Sequence, residues 1–211
     1  MTALGRPWSL RAAGERGAVV VIVLMATVVL CGLAFGLIPL VNTEVTIASN
    51  YREASQLLYA AEAAAERTMS ELMRVSSFSA VLSGAIVSAS RDVTLTPVLP
   101  SRETLDLTAM TASLQAVSDA NAQRGADNPR WRLFIYQPLS RVARCLDCPE
   151  YIVAWVADDA AETDADPSAD SNAVMTVVAR AVGRQGLQRT VETALAKKTT
   201  GVGMLSWREV R

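Results

Sequence analysis

The chain has 211 residues, room for one ordinary domain beside an anchor and too few for two large domains. A formal net charge of −1 gives no electrostatic ground for binding a polyanion, so no nucleic-acid partner is expected. There is no histidine, which removes the commonest general base and the commonest transition-metal ligand; 51% of the residues are apolar, and the excess over a soluble globule sits mostly between Ala18 and Val41.

Arg6, Arg11 and Arg16, with Glu15 between the last two, precede residues 18–41, which carry no charge. As a helix rising about 1.5 Å per residue, this run extends roughly 36 Å. That spans a bilayer core of about 30 Å with some tilt. A soluble core helix needs no run apolar on every face, and a secretory signal has a shorter core of about 7–15 residues. The next charge is Glu44, so the arginines stay in the cytoplasm and the C-terminal part crosses. The expected location is the bacterial inner membrane, single-pass, with a periplasmic domain. Cys31 lies in the run as an inert membrane residue. Gly32, Ala34 and Gly36 read either as a flat face for packing helices or as apolar filler. A plain permanent anchor explains the hydropathy and the charge bias equally well.

The charged stretch ends in Arg16-Gly17, and the apolar run begins at Ala18. This resembles a prepilin-type leader, residues 1–17. The resemblance implies a membrane peptidase cutting between Gly17 and Ala18, where a glycine suits a backbone held extended in a protease. Pro39, near the far end of the 18–42 membrane segment, resembles the helix-kinking proline of type IV pilins, and neighbouring helices can satisfy the backbone groups it frees. Major pilins usually carry glutamate as the fifth residue after the cut. Here Ile22 stands there, which suits a minor pilin or pseudopilin.

An amphipathic continuation is expected over 43–75. Ile47, Tyr51, Ala54, Leu58, Ala61, Ala65, Met69 and Leu72 recur at steps of three or four and form one apolar stripe. Glu53, Glu66, Arg67, Glu71 and Arg74 fall largely off it, among good helix formers. Within this stretch Asn50-Tyr51-Arg52, then Leu58-Tyr59-Ala60-Ala61-Glu62-Ala63, resembles the N-terminal region of PilX-type pilus assembly proteins. These typically show a Gly-Asn-x-Arg step followed by Ala-Ala-Glu-Ala or Ala-Ala-Asp-Ala. Ser49 stands here where that family has glycine. The resemblance covers roughly residues 16–74. It implies a minor pilin aiding assembly, display or adhesion of a type IV pilus-like filament, with other pilin subunits and a prepilin peptidase as partners.

Residues 76–130 read as a connecting region with a short helix over 105–121 and a turn at Asp127-Asn128-Pro129. The period then changes to two. Strands are expected at 131–137, 151–157, 173–183 and 187–196, with a hairpin turn at Gly183-Arg184-Gln185-Gly186. Residues 131–198 thus form an antiparallel sheet with one face covered by the long helix, an α+β, pilin-like fold. Residues 199–211 read as a tail, with Lys197, Lys198, Arg208 and Arg211 as a solvated basic end.

Cys145 and Cys148 are separated by Leu146 and Asp147. The readings are a loop-closing disulfide or free thiols, half of an intermolecular or metal site, or a redox pair. Asp158, Asp159, Asp164, Asp166, Asp170 and Asn172 make an acidic loop, with Asp164, Asp166 and Asp170 as candidate calcium ligands because calcium takes about six to eight oxygens. The spacing is not that of an EF-hand, and a solvated acidic loop is the alternative. Acid–base chemistry by Asp158 and Asp159 is disfavoured, since neighbours on an extended chain point to opposite faces. No nucleophile elbow, phosphate-binding loop or histidine triad occurs, so no enzymatic activity and no cofactor other than that calcium ion is expected. Two functions from different classes stand. One is a minor pilin or pseudopilin. The other is a permanently anchored extracytoplasmic ligand-binding protein.

Overall fold

The computed structural model describes residues 12–120, 122–143, 145, 148–162 and 164–210. Arg6 and Arg11 of the expected leader, and Arg211, lie outside them. By its contacts the chain divides into two units, residues 1–51 and 52–211.

Helix α1, Ala12–Leu72, runs through both and contains Pro39 without interruption. It is long and apolar enough to cross a membrane. In the first unit every residue from 17 to 51 is exposed. Three threonines of that stretch bond back to their own helix: the Thr27, Thr43 and Thr46 hydroxyls donate to the carbonyls of Val23, Pro39 and Asn42 at 2.7–2.9 Å. Such bonds let a threonine stay helical where no water reaches it.

In the second unit α1 packs on a sheet. Its buried positions are Leu57, Ala60, Ala61, Ala64, Ala65, Thr68 and Leu72. The stripe is therefore turned by about one residue from the expected one: Leu58 and Met69 are only partly buried, and Ile47 and Tyr51 are exposed. The paired alanines cause the turn. They are weakly apolar in a periodicity count, yet they let a backbone approach closely, so they take the centre of the contact.

The sheet is an antiparallel meander of five strands in chain order: β1 Arg132–Pro138, β2 Tyr151–Asp158, β3 Val174–Val182, β4 Gln188–Lys198 and β5 Gly201–Val210. Both faces are covered, not one. Ile152, Ala154 and Val156 of β2, with Met175, Val177, Ala179 and Ala181 of β3 and Val191 and Leu195 of β4, join the buried face of α1. Tyr151, Val153 and Trp155 of β2, with Val178 and Val182 of β3, pack against Leu99, Leu105 and Leu107 on the other side. Every residue of β2 is therefore buried, the pattern of a strand covered on both faces. A bulge between Leu133 and Ile135 of β1 turns Phe134 and Ile135 to the same side.

The second cover is helix α3, Leu107–Asp119, shorter than the expected 105–121 and capped by Asp106, whose carboxylate accepts from the Ala109 amide at 2.8 Å. The Trp155 indole donates to the Thr111 hydroxyl at 2.8 Å and the Trp131 indole to Ser118 at 2.7 Å, which ties α3 to the sheet. A four-residue helix α2, Ser79–Leu82, follows α1.

The expected tail is a strand. The turn at Thr199 and Thr200 sends the chain back, and β5 pairs along β4, with Lys198 opposite Gly201. Arg208 lies opposite Glu192 and forms an ion pair with it at 2.7 Å. Lys197 is not a solvated end either. Its ammonium reaches back to the carbonyls of Val75 and Ser76, just beyond the last turn of α1, where the helix dipole favours a cation.

Candidate functional site

Gly17 and Ala18 lie inside α1, in helical rather than extended backbone. Glycine is the weakest helix former after proline, about 1 kcal/mol below alanine, so Gly17 weakens this turn of the helix. Gly17, Gly32 and Gly36 have nothing within 4 Å of where a Cβ would stand. Their smallness is not required by packing within the chain. Cys31 is exposed with a free thiol. Pro39 has no amide hydrogen and leaves the Phe35 carbonyl without its helical donor.

Cys145 and Cys148 are joined by a disulfide, and both pack partly buried against the helix–sheet core. The link closes a small loop in the β1–β2 connection.

The acidic loop connects β2 to β3. Asp164, Asp166 and Asp170 are not in the group of acids whose oxygens converge among the described residues. The Asp164 carboxylate accepts from the Asp166 amide at 3.1 Å. The Asp166 carboxylate accepts from the Ser168 amide at 3.0 Å and its hydroxyl at 2.6 Å, and the Ser168 hydroxyl bond foremost holds its pKa below the usual carboxylate value. Asp170 accepts from the Val174 amide at 3.2 Å. Its carboxyl is pushed up by burial. Each of the three shapes the local chain, as aspartate does in turns.

A different trio converges. Among the described residues, Asp158, Asp159 and Glu162 are the group whose carboxylate oxygens, one from each, lie within 4.8 Å of one another. The opposite-face rule fails for Asp158 and Asp159 because β2 ends at Asp158, so strand alternation stops there. Asp159 accepts from the Ala161 amide at 3.0 Å and the Asn172 side-chain amide at 2.7 Å. Glu162 accepts the Ser171 and Asn172 amides on one oxygen, at 2.9 and 2.7 Å. Asp158 and Glu162 are 4% and 5% exposed. Burial pushes the Asp158 carboxyl up to about 7, and the negative charge of Glu162 adds to it. Glu162 was not singled out from the sequence, where it stands alone among Ala and Thr; its only signal is a spacing of four from Asp158 at a strand end.

No protein-family model, curated protein or solved structure matches the chain.

Proposed function

We propose that the chain is a pilin-like subunit, a minor pilin or pseudopilin of a type IV pilus or related secretion filament, and not an enzyme. The observation that carries this reading is α1 itself. Residues 18–43 of that helix are uncharged and exposed, and its later turns pack on a sheet in a unit of their own. A membrane covers the first stretch before assembly, and helices of neighbouring subunits cover it afterwards. The open glycines Gly32 and Gly36 give those helices room to approach. Ile22 in place of a glutamate fits a subunit that does not propagate the filament by itself. The β-sheet unit faces the periplasm, since the arginines precede the apolar run.

Coexpression with a prepilin peptidase tests the reading. The wild-type chain loses its first 17 residues, seen as a faster band on a gel, while Gly17→Ala or Gly17→Leu keeps full length. An unaltered wild-type band under conditions that process a control pilin favours the permanently anchored ligand-binding protein instead.

A further inference from the structure

Three acids whose oxygens converge within 4.8 Å at the end of β2 need neutralising. Among the described residues no lysine or arginine forms an ion pair with Asp158, Asp159 or Glu162. The nearby charges are of the same sign, Asp170 included. A second observation points to a ligand. Asp158 Oδ1 and Glu162 Oε2 are buried with no hydrogen-bond partner, on side chains more than nine-tenths buried. Buried carboxylate oxygens are ordinarily paired or bound to a metal. Glu162 is not misplaced by chance, because its other oxygen is fixed by the amides of Ser171 and Asn172.

We propose that Asp158, Asp159 and Glu162 form a site for a calcium-class divalent cation. Oxygens bound to one calcium at about 2.3–2.6 Å can be no more than about 5 Å apart, which the trio satisfies. All the donors are hard oxygens, with no nitrogen or sulfur ligand, which selects calcium or magnesium over softer metals. Three ligands, one at the end of β2 and two in the loop after it, leave the remaining positions to water, and calcium tolerates such irregular coordination better than magnesium. The ion would tie the end of β2 to the returning 171–172 segment through Glu162, and so order the loop ahead of β3. The site is independent of the filament reading, since an anchored receptor would hold it equally.

The test uses the full chain in detergent, stripped with a chelator and then titrated with calcium chloride by calorimetry, with thermal unfolding followed in parallel. One calcium binds per chain, and the melting temperature rises by roughly 5 °C or more at about a hundredfold excess over Kd. Glu162→Gln and Asp158→Asn lose both the heat and the shift, while Asp164→Asn and Asp166→Asn keep them. Circular dichroism of the stripped variants establishes that they fold. Should either of the first two fail to fold, Asp159→Asn, in the less buried ligand, carries the same expectation. The proposal is overturned if stripped wild type shows neither heat nor shift. It is equally overturned if Asp164→Asn or Asp166→Asn abolishes them while Glu162→Gln does not.

Discussion

Single residues hold the ends of elements together. Lys197, on the outermost part of β4, donates to carbonyls just past α1 and lies 5.9 Å from the Phe78 ring centre, so one side chain closes the helix end and joins it to the sheet. Tyr151, the first residue of β2, is buried, and its hydroxyl donates to Asp92 at 3.4 Å. Burial, and then the Asp92 charge, push its phenol above the ordinary value near 10. The folded chain therefore holds that proton more tightly than the unfolded chain does. The stability linked to it is present in full below about pH 10 and declines as pH rises further. Urea unfolding at about pH 8 and about pH 10.5 should show that decline in wild type and a shallower one in Tyr151→Phe. Equal declines would mean that Tyr151 is not the group responsible. At this scale the sequence was least informative. The acidic loop was visible as a run of aspartates, but which carboxylates meet depends on where β2 stops and on how residues 171–172 return. Glu162 has no local signature of either.

Among the elements, α1 and the β3–β4 turn meet closely. A Cβ on Gly183 would stand 2.9 Å from Leu57 Cδ2, and Leu57 is 1% exposed. The turn beyond it uses left-handed backbone at Gln185 and Gly186. Gly183→Ala should cost about 1–2 kcal/mol through overpacking, and Leu57→Ala about 2–4 kcal/mol through the cavity it leaves. Together they should cost less than the sum, because the second change gives the new methyl group room. Strict additivity in a denaturant-unfolding cycle would contradict that contact. Strands β1 to β4 and this turn were legible from alternation and glycines. β5 was not: Gly201, Gly203 and the charges at Arg208 and Glu209 break its alternation, and its residues stay largely exposed because it is covered by β4 on one edge alone. The second cover of the sheet was hidden for a related reason. β2 reads as an apolar run, and only three-dimensional packing shows that its odd-numbered residues meet α3 and the 99–107 segment rather than water.

At the scale of the molecule, one helix serves two units with different surroundings. The 52–211 unit buries its share of α1 against a sheet, while residues 17–51 leave their side chains exposed. That division was the clearest statement in the sequence, since an uncharged run of this length followed by an alanine-rich amphipathic stretch has few other physical solutions. The phase of the stripe was misjudged because the alanines at its centre count little in a hydropathy pattern and much in a close contact. The reading of this architecture as a filament subunit rests on the leader being removed. The most direct measurement is the intact mass of the chain recovered from membranes of cells that carry its own filament machinery. A chain beginning at Ala18 is the predicted result, and one that still carries residues 1–17 would contradict it.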